Sequence, residues 1–375
     1  MSDYFLADDL SGALDAAAAF HHAGRRVVVA VSPHAWAAAT PGQVIGITTE
    51  TRNAAPEIAA AAVQQAVARG RASGGRLLYK KIDSTLRGPV AAELAALEAA
   101  LPGTRILFAP ANPKVGRTVR DGILLVNGMP VAETDFARDP LSPVTESSIA
   151  RLLGVALTPR VVLADAASEE DLADAVARMN AGGADWVAVG SGALARPVAA
   201  SQPEEVKLPA EAAMPEITPG PMLFVCGSAH GLNREQSSRL AREHGVPVHE
   251  VRPADGGPAI QAAIASVRAR GAAALLFATP RTDSTVALAA IAAAATRVIA
   301  EGGVRRVFVT GGETAFALCG LLGISALRFL SEIEPGLSVS RGQAALGAML
   351  LAVKPGGFGD AQTWIRAWTE LRRAC

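Results

Sequence analysis

Short apolar runs rich in β-branched residues alternate along this chain with longer, alanine-rich stretches of helical character. In the first half the runs predict strands at residues 4–7, 27–31, 44–48, 77–82, 106–109, 161–164 and 186–189. Helices are predicted between them at 12–23, 56–69, 89–101 and 169–181, with Pro56 and Pro89 where a first-turn proline belongs. This alternation belongs to a mostly parallel sheet covered by helices. One stretch departs from it. Residues 122–126 and 129–132 flank Asn127-Gly128, the pair that a tight hairpin turn favours.

The pattern then stops and restarts. Six prolines fall within the 25 residues from Pro197 to Pro221, with few apolar residues among them, which reads as a linker. Beyond it strands are predicted at 222–226, 246–251, 274–278, 307–310 and 348–353, and helices at 232–243, 260–270, 284–300 and 313–322. The expected fold class is therefore α/β, with two domains at 1–200 and 221–375, each a mostly parallel sheet flanked by helices, joined by a Pro-rich linker at 201–220. A chain of 375 residues is long enough for two cores of ordinary size.

Composition narrows the function classes. Lys plus Arg equals Asp plus Glu at 35 each, so the chain lacks the basic excess of a general nucleic-acid binder. Half of its residues are hydrophobic and 19% are charged, which excludes disorder. Cys226, Cys319 and Cys375 are too few and too scattered for a disulfide framework or a zinc site. With an acidic N-terminal segment and no apolar run long enough for a bilayer, the expected location is the cytoplasm. Small molecules are the expected partners, rather than nucleic acid or membrane. A homo-oligomer is left open.

In open α/β sheets ligands gather at the carboxyl ends of the strands. The first predicted strand ends in Asp8-Asp9-Leu10-Ser11-Gly12, two carboxylates where a dinucleotide fold would carry glycines. One Asp there would cap a helix, but two adjacent acids cannot both do so, and the pair suits hydroxyls, a magnesium shell or a proton to be abstracted. The fourth strand runs into Lys80-Lys81-Ile82-Asp83-Ser84-Thr85-Leu86-Arg87-Gly88. Adjacent lysines expose one on each face, and with Arg87 they form a cationic clamp for a carboxylate or phosphate, Asp83 and Ser84 adding polyol-binding groups. The chain has only five lysines, so this pair is not casual surface charge. A basic loop from Pro110 to Arg117 follows the fifth strand, and Thr134-Asp135-Phe136-Ala137-Arg138-Asp139 comes later. Either could close over a small anion. The second half carries three glycine turns at strand ends: Gly227-Ser228, Gly311-Gly312-Glu313-Thr314 and Gly356-Gly357. Such turns expose backbone N–H groups as an anion cradle, suited to a nucleotide's phosphates. No Walker P-loop and no GxSxG elbow occurs.

ADDLSGA, KKIDSTLRG, PANPKVGR, TDFARDP, CGSAHG, TGGETA and KPGGFG occur in that order. In this the chain resembles the four-carbon acid sugar kinase family, whose members phosphorylate tetronates such as threonate, erythronate or 3-oxo-tetronates with ATP. The resemblance implies an N-terminal sugar-acid-binding domain and a C-terminal nucleotide-binding domain. It makes Asp8 and Asp9 the paired catalytic acids. Lys81, Asp83, Ser84 and Arg87 become substrate-binding residues, joined by Arg117. Ser228, Gly311, Gly312, Glu313, Thr314, Gly356 and Gly357 become contacts to ATP, with Mg2+ expected and its ligands unassigned. One departure is that Lys354-Pro355 replaces the more usual Lys-Ser, so that this turn has one backbone donor fewer.

The implied mechanism has Lys81 and Arg87 hold the substrate carboxylate while Asp83 and Ser84 orient its hydroxyls. Asp8 or Asp9 takes the proton of the attacking terminal hydroxyl, and closure about the linker brings donor and acceptor together. Two other classes compete. One is a non-catalytic ATP-binding sugar-acid sensor, against which the intact acids count. The other is a nicotinamide-dependent oxidoreductase, against which the missing GxGxxG counts.

Overall fold

A computed structural model of the chain describes residues 2–32, 35, 42–202, 217, 220–228, 230–253, 257–277 and 283–373. By its internal contacts the chain divides into two compact units, Met1–Val28 with Ala38–Leu208, and Val29–Ala37 with Pro209–Cys375.

The first unit runs β1 (Tyr4–Ala7), α1 (Leu10–His22), β2 (Arg26–Ala30), β3 (Gln43–Thr48), α2 (Pro56–Ala72), β4 (Leu77–Lys81), α3 (Val90–Ala100) and β5 (Arg105–Ala109). Then follow β6 (Arg117–Arg120), β7 (Ile123–Val126), β8 (Met129–Pro130), α4 (Ile149–Leu153), β9 (Val161–Leu163), α5 (Glu169–Ala181), β10 (Trp186–Gly190) and α6 (Gly192–Ala200). Its main sheet has the order β2-β3-β1-β4-β10-β5-β9, and the pairings from β3 to β9 are all parallel. β6, β7 and β8 form a separate antiparallel sheet. β1 lies between β3 and β4, so the chain leaves it on one side and returns on the other. That is the switch point where a parallel sheet opens a crevice at its carboxyl edge.

The second unit runs β11 (Met222–Cys226), α7 (Gly231–His244), β12 (Val248–Val251), α8 (Pro258–Arg270), β13 (Ala272–Phe277), α9 (Ser284–Gly302), β14 (Arg306–Thr310) and α10 (Gly312–Leu322). It ends with β15 (Ala326–Glu334), β16 (Leu337–Ala344), β17 (Gly347–Lys354) and α11 (Thr363–Arg373). The order β12-β13-β11-β14-β17 is parallel, and β16 and β15 extend it in antiparallel sense. β11, between β13 and β14, is again a switch point. Its core packs Phe224 on Phe308 and Trp364, ring centroids 5.1 and 5.5 Å apart. By length and composition α9 could cross a membrane, yet it buries Ile291, Ala294, Ala295, Val298 and Ile299 against β11 and β13.

The α/β class and its two mostly parallel sheets agree with the sequence reading, and the strands and helices expected there lie within a few residues of those observed. Pro197, the first of the six prolines, lies inside α6, where it removes one helical bond to the Ala193 carbonyl and is tolerated, and α6 ends at Ala200, ahead of the expected linker at 201–220. That linker falls almost wholly outside the described residues. The second sheet gains the hairpin β15–β16, which was not expected. Its charged and hydroxylated residues hide the alternation, although Ser338 and Ser340 are buried. Finally α11 was missed, although Trp364, Ala367, Trp368 and Leu371 are buried at helical spacing.

Candidate active site

At the carboxyl edge of the first unit Asp9 caps α1. Its backbone is extended and its Oδ1 accepts from the Gly12 amide at 2.7 Å, while Ser11 Oγ donates to Oδ2 at 2.5 Å. Asp8 takes no part in the cap. Arg52, four residues beyond β3, donates to it at two points, Nε to Oδ2 at 2.9 Å and Nη2 to Oδ1 at 2.8 Å. The same Nη2 reaches Asp9 Oδ1 at 2.7 Å. Burial works to raise the Asp8 pKa, but Arg52, with Lys80 and Lys81, outweighs it and holds the carboxyl below its ordinary value. Arg52 was not singled out in the sequence. Its signal was the polar cluster Thr49-Glu50-Thr51-Arg52 at a strand end beside the two acids.

The adjacent lysines of β4 do go to different partners. Lys80 Nζ pairs with Glu93 Oε2 of α3 at 2.9 Å, both side chains fully buried, and Thr51 Oγ1 donates to the other Glu93 oxygen at 2.5 Å. Lys80 thus ties strand to helix. Lys81 turns toward α1, where its Nζ donates to the Ile82 carbonyl at 3.1 Å and stands 3.9 Å from Asp15. Gly12 makes room for it, since a Cβ there would lie 3.1 Å from the Lys81 ammonium and 2.6 Å from Asp9 Oδ1.

In the turn after β4, Asp83 is taken up by its neighbours. Arg87 donates to it through Nε at 3.0 Å and Nη2 at 2.8 Å, and the Thr85 amide and hydroxyl donate as well. Burial opposes its ionisation, but Arg87 and Arg52 hold its pKa well below the ordinary carboxylate range. The later segment closes on the same place. Asp139 lies 3.4 Å from Arg87 Nη1, and the Phe136 ring carries the guanidiniums of Arg87 and Arg117 at 5.7 and 5.5 Å from its centroid. Arg117, at the start of β6, differs from the other arginines here. Its Nη1 donates to Ser84 Oγ at 2.5 Å, its buried Nε has no hydrogen-bond partner, and no carboxylate pairs with it among the described residues. The structure therefore brings Asp8, Asp9, Lys81, Asp83, Ser84, Arg87 and Arg117 to one sheet edge, with Arg52 added. Arg117 holds the spare donor capacity, whereas Arg87 spends its fork on Asp83.

Glu50 stands at the same edge in a left-handed backbone conformation (φ 50°), its Oε1 accepting from the Thr48 hydroxyl. Burial pushes its carboxyl up to about 8. Asp9 and Asp8 reinforce the shift, while Thr48 and Arg52 resist it.

In the second unit the three glycine turns meet. A Cβ on Gly227 would lie 2.4 Å from Thr314 Oγ1, one on Gly356 2.9 Å from Ser228 Oγ, and one on Gly357 3.0 Å from the His230 ring. Gly311 caps α10 with φ 103° and donates its amide to the Lys354 carbonyl at 2.8 Å. The first amides of α10, from Gly312 onward, have no carbonyl behind them in the helix, as an anion site requires. Ser228, Gly311, Gly312, Glu313, Thr314, Gly356 and Gly357 thus lie around one switch point. Among the described residues no group of three or more His, Cys, Asp or Glu could hold a metal ion.

A sheet edge lined by paired arginines and acids, and a second sheet edge lined by glycine turns, belong to a two-domain α/β protein. Residues 4–158 match the sugar-binding N-terminal domain model and residues 223–364 the nucleotide-binding C-terminal domain model. The D-threonate kinase of Bordetella bronchiseptica is 33% identical, covering 98% of this chain and 96% of its own. That of Cupriavidus necator is 35% identical, covering 99% and 98%. A solved structure from Salmonella typhimurium LT2, described as a putative tRNA synthase, shares the fold with a TM-score of 0.76 at 23% identity, covering 98% of this chain and 99% of that one. The chain belongs to the four-carbon acid sugar kinase family. It is accordingly a phosphotransferase with an alcohol group as acceptor.

Proposed function

We propose that this protein uses ATP to phosphorylate the terminal hydroxyl of a four-carbon sugar acid of the threonate type. The observation that carries the reading is Arg117. It is a mostly buried guanidinium with an unpartnered Nε, beside Ser84, at an edge where Arg52, Arg87 and Lys80 are committed to carboxylates. A buried cation with spare donors calls for an anion, and a carboxylate of a small polyol acid fits it. In this proposal Arg117 and Lys81 hold the substrate carboxylate and Ser84 orients a hydroxyl. Asp83 works through Arg87, which it fixes in place.

Asp9 takes the proton of the attacking hydroxyl. The hydroxyl oxygen bonds to the γ-phosphorus, the bond from that phosphorus to the β,γ-bridging oxygen breaks, and ADP leaves. Arg52 holds Asp8 ionised and pairs with Asp9 through the same Nη2. The glycine turns hold the nucleotide through their amides and Ser228. Mg2+ would neutralise charge on the polyphosphate, and Glu313, in the first turn of α10, is the protein carboxylate that would help to hold it. In-line transfer requires acceptor hydroxyl and γ-phosphate to meet in the reacting complex, and most of the rate then comes from positioning and charge neutralisation.

A coupled ADP-release assay over threonate, erythronate and 3-oxo-tetronate isomers tests the proposal. ADP release dependent on one of these acids is expected. Release that no four-carbon acid stimulates would overturn it.

A further inference from the structure

The turn after β17 contains Pro355, which has no backbone N–H, so the donors of this turn come from the residues that follow it. Lys354, itself fully buried, bends back under the turn that follows it. Its Nζ donates to the carbonyls of Pro355 at 3.2 Å, Gly356 at 3.0 Å and Phe358 at 2.8 Å. All three protons of the ammonium are thereby used. From α7, Asn233 Nδ2 adds a bond to the Gly356 carbonyl at 3.1 Å, and Gln236 Nε2 donates to the Asp360 carbonyl at 2.6 Å.

Peptide geometry gives these bonds a consequence. In a planar trans peptide the C=O of one residue and the N–H of the next point in opposite directions, and the described residues contain no cis bond. A Pro355 carbonyl drawn down to Lys354 therefore turns the Gly356 amide up. The Gly356 carbonyl does the same for the Gly357 amide, and the Phe358 carbonyl for that of Gly359. We infer that Lys354 is a positioning residue of the nucleotide site: by collecting three carbonyls on one side of the turn, it aims the amides of Gly356, Gly357 and Gly359 out of the other side as a phosphate-binding nest. The inference rests on the nucleotide reading of the second unit. It assigns no contact between the lysine and the nucleotide.

The groups facing Lys354 are Cys226 from β11 and Glu334 from β15, while α7 offers the neutral Asn233 and Gln236, and His230 stands over Gly357. Burial lowers the Lys354 pKa to about 8, with Cys226 and Glu334 working the other way. Above that pH the amine keeps two protons and must release one carbonyl.

The test is ATP binding to the full-length protein by calorimetry, without sugar acid, so that groups of the first unit do not enter. Lys354→Met should weaken ATP binding about tenfold or more, as expected for the loss of charge-assisted bonds that order the nest. In turnover it should raise KM for ATP and leave KM for the sugar acid within about twofold. Lys354→Arg, which still donates to carbonyls, should recover part of the affinity. Wild-type affinity should also fall above pH 8, and Lys354→Arg should abolish that fall. This second readout serves if Lys354→Met does not fold. ATP binding unchanged in a folded Lys354→Met, or a fall above pH 8 that persists in Lys354→Arg, would overturn the inference. Wild-type protein that binds no ATP would instead sink the nucleotide reading on which it rests.

Discussion

The guanidinium of Arg52 meets Asp8 at two points, 2.9 and 2.8 Å, in a pair whose carboxylate is almost wholly buried. Because the same group reaches Asp9, one arginine makes two adjacent buried carboxylates tolerable. Arg52→Ala should therefore cost about 3–5 kcal/mol of stability through stranded charge, besides abolishing turnover. Arg52→Lys, which cannot form the fork, should fall between. Thermal and denaturant unfolding of the three proteins checks this. Equal midpoints would show that the pair carries no structural load.

Asp9→Asn separates cap from charge. Asparagine caps a helix as well as aspartate does, so α1 should keep its start and the unfolding midpoint should move little. The lost proton acceptor should lower kcat about 10²–10⁴-fold while ATP affinity stays the same. Near-normal kcat would move the proton-accepting role to Asp8.

Arg117→Ala should raise KM for the sugar acid by one to two orders of magnitude, roughly the worth of a charge-assisted pair, and leave KM for ATP unchanged. Unaltered dependence on the sugar acid would remove Arg117 from carboxylate binding.

Much of this was legible in the residues, and what was not has physical reasons. The parallel strands showed because they are continuous apolar runs, buried on both faces. The edge hairpin β15–β16 did not, because its alternation is written partly in buried serines. Asp8, Asp9 and the KKIDSTLRG turn stood out as charge at strand ends. Arg52 did not, because a single arginine after a strand looks like solvent-facing charge until β3 is known to lie beside β1. That adjacency is a property of topology. Likewise the division between Lys80, buried under α3, and Lys81, turned toward α1, followed from strand alternation, but their partners Glu93 and Asp15 could be named only once the helices were packed.

Glu50→Gln addresses pH. The folded-state pKa of Glu50, about 8, lies above its ordinary value of 4.5. Between those values the folded protein holds a proton that the unfolded chain has lost, so this group's contribution to stability falls as pH rises through the window. The glutamine variant should match the parent near pH 4 and exceed it by about 1–2 kcal/mol above pH 8, allowing for the partial exposure of the site. Parallel stability curves would place the Glu50 titration elsewhere.

Gly311→Ala tests the second unit. At φ 103° a side chain is strained, and the cost of about 1–3 kcal/mol falls on the turn that starts α10. KM for ATP should rise several-fold or more and KM for the sugar acid should not. A variant with unchanged ATP kinetics would detach this turn from the nucleotide.

The most direct measurement is phosphorus NMR of the products when ATP and the best four-carbon acid of the panel are incubated with the enzyme. A new phosphomonoester resonance coupled to the terminal CH₂ protons, growing in step with ADP, is the predicted result. ADP that accumulates with free inorganic phosphate and no ester, or no ADP at all, would contradict the account.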